Sequence, residues 1–165
     1  MLAKILSKID ALYPLETVSA HCDIPCKIYD PISAQLAVLT MIRMVDLLDE
    51  LPQGSMLTAN QQAQFSRLVA DKEQHGRKVK EEIIVIWGDY IKQPQLEAYP
   101  ELHELVHSIM LAASKAKQHI DREVTLDLLT KVNRFAEIFW LSKGIDVYRA
   151  VSPYPPAEHV VYPKL

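Results

Sequence analysis

The stretch Ile32-Ser-Ala-Gln-Leu36-Ala-Val-Leu39-Thr-Met41-Ile42-Arg-Met-Val45-Asp-Leu-Leu48-Asp-Glu-Leu51 decides the fold class. Leu36, Leu39, Met41, Ile42, Val45 and Leu48 recur at a period near 3.6 residues, which predicts a helix with one face turned to a core. Pro52 to Ser55 breaks the pattern. Thr58 or Asn60 can then cap a second, longer helix running to about Ile91. Its middle is charged (Asp71, Lys72, Glu73, Lys78, Lys80, Glu81, Glu82), which predicts an exposed face, and it turns apolar at Ile83 to Trp87. Pro94 and Pro100 bracket a loop. A third helix starts near Glu101 and carries Leu102, Leu105, Val106, Ile109 and Met110. A fourth runs from about Asp121 to Lys143, with Leu126, Leu129, Val132, Phe135, Ile138 and Phe139 on one side and Gly144 as its stop. Four helices with short links predict an all-α, antiparallel up-and-down four-helix bundle over residues 32–144.

Composition agrees with one globular domain. The chain has 165 residues, 49% hydrophobic and 24% charged, which excludes a disordered chain. Lys and Arg number 18 against 21 Asp and Glu, so no basic surplus points to nucleic acid. Only 4 glycines argue against a turn-rich β domain or a Gly-rich phosphate loop. Two cysteines are too few to staple a scaffold of this size. No apolar run approaches the roughly 20 residues that span a bilayer, so no membrane partner is expected.

The two ends differ from the middle. In residues 1–20, Leu2, Ile5, Leu6, Ile9 and Leu12 keep helical spacing, with Lys4, Lys8 and Asp10 between them. Lys8 and Asp10 interrupt any secretory h-region, so the segment reads as a packed amphipathic helix or as a leader whose removal creates a new end at residue 21. Residues 145–165 hold Pro153, Pro155, Pro156 and Pro163 with Tyr148, Tyr154 and Tyr162. They read as an extended tail, either loose or docked as an arm through Val160 and Val161.

Residues 21–31 concentrate the chemistry. Both cysteines and one histidine fall in His21-Cys22-Asp23-Ile24-Pro25-Cys26. Pro25 excludes an ordinary helix interior, so the two thiols sit in loop geometry and can face one centre. A buried cysteine pair or a disulfide is the bland alternative. Three adjacent soft or borderline donors favour a metal site for zinc, copper or nickel over magnesium or calcium.

The run continues Lys27-Ile28-Tyr29-Asp30-Pro31, and the whole string resembles the nickel-binding hook of the nickel superoxide dismutase family. Trp87-Gly-Asp89-Tyr90-Ile-Lys92, Tyr99-Pro100-Glu101-Leu102-His103 and Phe139-Trp140 are similar to that family as well. The resemblance spans about His21 to Lys143. It implies a cytoplasmic helical-bundle enzyme that assembles as a homohexamer and takes superoxide as substrate. It also implies a precursor whose leader a dedicated peptidase removes just before His21.

The resemblance further implies a ligand set. Thiolates of Cys22 and Cys26, the free α-amine and imidazole of His21 and the backbone amide of Cys22 would hold nickel and make one-electron cycling accessible. Leader removal would then belong to the mechanism, because the amine of His21 is an amide while Ala20 is attached. Tyr29 would stand over the open face, supported by Tyr90. Asp23 and Pro25 would shape the hook, and Lys92 would add positive potential for an anionic substrate.

Two positions depart from the family pattern. An acidic residue on the first helix and an arginine on the second hold the axial imidazole in familiar members, and here those positions are Ala37 and His75. His75 either takes over by direct bonding, becomes a new ligand or is an ordinary helix histidine. His103 and His107 have i, i+4 spacing but belong to a structural or interfacial set with His119. Two other functions stay open on sequence: an unprocessed homologue using a copper ion at the same residues, and a non-catalytic metal-storage protein.

Overall fold

The computed structural model describes residues 28–52 and 56–165. The leader and the hook residues His21, Cys22, Asp23, Pro25 and Cys26 lie outside the described residues. Four long helices form the body: α1 (Ile32–Asp49), α2 (Ala59–Val85), α4 (Leu102–Gln118) and α5 (Arg122–Leu141). Each packs against two others, α1 on α2 and α5, and α4 on α2 and α5, which closes a four-helix bundle. Among the described residues no helix is long and apolar enough to cross a membrane.

Local chemistry sets the helix ends. The Asp30 carboxylate accepts from Ile32 N–H at 2.8 Å and starts α1. Thr58 and Gln61 form a reciprocal capping box on α2. Asp121 accepts from Val124 N–H at 3.1 Å to cap α5. Gly144, at φ +73°, ends α5: its N–H reaches the Leu141 carbonyl and Ile145 N–H reaches Trp140, a pair of bonds that needs a left-handed residue.

The stripe along α1 is buried as Ala34, Val38, Met41, Val45 and Leu48, spaced alternately by four and three residues, with Ala37 and Ile42 buried beside it. Facing it, α2 contributes Leu68, Lys72, Gly76, Val79 and Ile83. Lys72 corrects the expectation of a solvated face, because it is only 1% exposed. Its ammonium reaches the carbonyls of Ala116 (2.7 Å), Lys117 and His119 (3.0 Å), which the end of α4 leaves without backbone donors. Burial pushes its pKa below the ordinary lysine range, and the Glu73 carboxylate opposes that shift.

Two further features depart from the expectations. The stretch between Pro94 and Pro100 holds a six-residue helix, α3 (Gln93–Ala98), with Pro94 in its first turn, where the missing N–H costs nothing. After Gly144 the chain turns back as an antiparallel hairpin of β1 (Val147–Val151) and β2 (His159–Pro163). Tyr148 lies opposite Tyr162, and their rings stack at 5.6 Å. Val160 and Val161 are buried against the bundle. Arg149 bonds Glu137, and Arg122 links Asp46 to Glu158, which ties the hairpin to α1 and α5.

Candidate metal centre and its tyrosine pair

Beyond Val85, α2 widens into a π-helical turn, Ile86–Tyr90, closed by Ile91 N–H on the Ile86 carbonyl at 3.2 Å. Such turns rotate side chains out of the α-helical register and recur at functional sites. This one places Trp87 toward α4 and Tyr90 toward α5. Trp87 Nε1 donates to His103 Nδ1 at 3.2 Å, and the rings meet edge-on at 5.6 Å. That bond leaves the neutral His103 proton on Nε2. Among the described residues no group of His, Cys, Asp and Glu is clustered for a metal, so His103 and His107 form no second site there.

Tyr29 leaves the hook side of the chain just before α1 and lies against Tyr90, with ring centroids 6.1 Å apart and planes tilted by 49°. Tyr90 also packs on Phe139, at 4.9 Å, and Phe139 on Trp140, at 5.0 Å. The structure therefore brings together Tyr29, Tyr90 and the Phe139-Trp140 pair, three stretches far apart in the chain. Two neighbours went unnoticed in the sequence. The Tyr90 hydroxyl lies 2.9 Å from Ser142 Oγ, and Lys143 Nζ sits over the Tyr90 ring at 5.2 Å and the Phe139 ring at 4.5 Å. Their only sequence signal is position: both lie just past the end of α5, two and three residues after Trp140.

The other candidates are placed differently. Lys92 is exposed, two residues beyond Tyr90, and its ammonium turns back to the Gly88 carbonyl at 3.2 Å. His75 is half-buried on α2, and by helical rise it stands roughly 20 Å along that helix from Tyr90. Its Nδ1 donates to the Asp71 carbonyl at 2.8 Å. Ala37, 2% exposed, is a packing residue of the core and brings no polar group.

Residues 16–143 match the family model of nickel-containing superoxide dismutase. The nickel superoxide dismutase of Streptomyces coelicolor is 36% identical over 140 residues, which cover 84% of this chain and 98% of that protein. The Streptomyces seoulensis protein of the same name gives the same identity and coverage. Among solved structures, native nickel superoxide dismutase superposes with a TM-score of 0.66 at 32% identity, covering 74% of this chain and 99% of that one. The structure with nickel ligation of the oxidised state gives 0.68 at 31% identity, over 75% and 99%. The hairpin falls beyond the residues that the family model matches. A match this long, with the His21 to Pro31 string inside it and the bundle beneath it, places the chain in the nickel-containing superoxide dismutase family.

Proposed function

We propose that this chain disproportionates superoxide to dioxygen and hydrogen peroxide, with nickel held by His21, Cys22 and Cys26. The activity and the metal are those of its family. The donor set fits: two thiolates with an imidazole and an amine are soft or borderline ligands suited to nickel. Bound there, nickel supplies the one-electron exchange that the two half-reactions need. The observation that supports the reading at the level of residues is the Tyr29–Tyr90 contact, because it brings the described end of the hook string against the Tyr90 ring, whose hydroxyl meets Ser142.

The protein's own residues bind, steer and exclude. Tyr29 covers the open face and limits entry to small anions, with Tyr90 packed behind it. Asp23 and Pro25 shape the loop that brings both thiols to one side. Lys92, exposed at the end of the π turn, raises the local potential for an anionic substrate. A leader peptidase exposes the His21 amine in the cytoplasm, and the mature chains assemble as a homohexamer.

The test is native mass spectrometry of protein expressed with nickel available, followed by a superoxide turnover assay. The expected species begins at His21, carries nickel and turns over superoxide. A full-length chain carrying copper, or a metal-loaded chain without turnover, would overturn the reading in favour of a copper homologue or a storage protein.

A further inference from the structure

The C-cap of α5, Ser142, determines which way the Tyr90 hydroxyl points its proton. A serine hydroxyl has one hydrogen to give and two lone pairs to offer. Ser142 Oγ lies 2.7 Å from the Phe139 carbonyl, an oxygen that can only accept. That carbonyl needs the proton: the next available backbone donor, Lys143 N–H, goes to Trp140 instead, at 3.0 Å. Such orphan carbonyls are expected at a helix C-terminus and are commonly met by side chains. Ser142 is thereby committed as donor to Phe139. Its contact with the Tyr90 hydroxyl at 2.9 Å must run the other way, with Tyr90 donating.

From this we infer that Ser142 is a positioning residue for the tyrosine pair. By taking the single hydroxyl proton of Tyr90, it makes Tyr90 Oη an acceptor toward the Tyr29 side. Any hydroxyl, water or protonated product that meets Tyr90 from that side must donate to it. The aromatic packing of Tyr90 between Tyr29 and Phe139 holds the ring, and with it Oη, beside Ser142. The helix end thus sets a hydrogen-bond polarity that composition and spacing do not reveal. The inference rests on the proposed role of Tyr29 and Tyr90 in superoxide turnover.

The experiment uses mature, nickel-loaded protein with Ser142→Ala, Ser142→Thr, Tyr90→Phe and the Ser142→Ala/Tyr90→Phe double variant. Ultraviolet resonance Raman spectra, taken as wild type minus Tyr90→Phe, isolate the tyrosine doublet of residue 90, whose intensity ratio separates donor from acceptor hydroxyls. The expected ratio is that of a donor. It moves toward the acceptor value in Ser142→Ala and returns in Ser142→Thr. In parallel, kcat/KM falls about tenfold in Ser142→Ala, recovers in Ser142→Thr and shows no further loss when the alanine is added to Tyr90→Phe. An unmoved doublet in Ser142→Ala, or an alanine loss that persists in full on Tyr90→Phe, would overturn the inference. A doublet that moves as expected while Tyr90→Phe turns over superoxide at the wild-type rate would overturn the role of the tyrosine pair itself.

Discussion

Gln35 on α1 and Asn133 on α5 share a buried hydrogen bond of 2.9 Å, and together they hold the hairpin by its edge. Gln35 Nε2 also donates to the Val161 carbonyl at 3.2 Å, and Asn133 Nδ2 to the His159 carbonyl at 2.9 Å. These carbonyls are two residues apart on β2 and face away from β1, so the amides act as a substitute for a third strand. Pro163 continues that outer edge, where its missing N–H leaves no donor unpaired. Replacing Asn133 by Leu removes one donor and leaves buried partners unmet. We expect a loss of about 2 kcal/mol in unfolding free energy. Faster amide exchange across residues 147–163 in hydrogen-exchange mass spectrometry would check that the hairpin is what loosens.

Lys72 is the buried counterpart of that arrangement on the other side of the bundle. Its ammonium caps α4 through three carbonyls, so Lys72→Met keeps the bulk of the side chain and loses every bond. The expected cost is about 3 kcal/mol, because the carbonyls of Ala116, Lys117 and His119 lose a charged donor. Denaturant unfolding of the variant measures it. A loss below about half a kcal/mol would mean that water replaces the ammonium there.

Gly76 on α2 sits against Lys117 and Met41 with no room for a side chain. A Cβ at this position would meet Lys117 Cγ at 2.3 Å and Met41 Cε at 3.1 Å. Alanine gains about 1 kcal/mol in helix propensity over glycine, while overpacking costs 1–3 kcal/mol by order of magnitude, roughly. Gly76→Ala is therefore expected to lower stability by about 1 kcal/mol, and Gly76→Leu by clearly more. Thermal unfolding of the two variants side by side gives the comparison, and a stabilised alanine variant would contradict it.

Glu101 gives the fold a predictable response to acid. The Arg134 guanidinium bonds its carboxylate at 2.7 Å and holds its pKa below the ordinary 4.5. The folded state therefore binds this proton less readily than the unfolded chain. The pair's contribution is complete above 4.5 and is lost as pH falls through the lower folded value. Glu101→Gln removes that dependence. The expected result is a shallower fall of Tm for the variant than for wild type below pH 4.5, with the curves parallel above it.

At the site, Lys92→Gln tests steering apart from chemistry. Lys92 is exposed, so its field acts through water and is screened by salt. We expect kcat/KM for superoxide to fall about two- to threefold at low ionic strength, with the difference vanishing in high salt. Equal rates at every ionic strength would remove Lys92 from the proposed set.

The bundle was legible because its signals are local and repeated. The stripe of α1, the Thr58 and Asp121 caps and Gly144 each act within one or two helical turns, so their spacing in the chain is their spacing in space. The string from His21 to Pro31 stands out in the sequence for the same reason: its histidine and two cysteines are neighbours along the chain. The tertiary structure decided whatever depends on distant segments meeting. Lys72 looked solvated until the end of α4 supplied acceptors 44 to 47 residues away. The tail looked extended until Gln35 and Asn133, 126 and 26 residues from their partners, gave β2 an edge to lie on. Ser142 carries no motif, and it acquires its relation to Tyr90 only because a π turn on α2 and the C-terminus of α5 converge. Periodicity reports which face of a helix is apolar, but it does not report which buried polar groups will find each other across that face, and those pairings are what the packed structure alone sets.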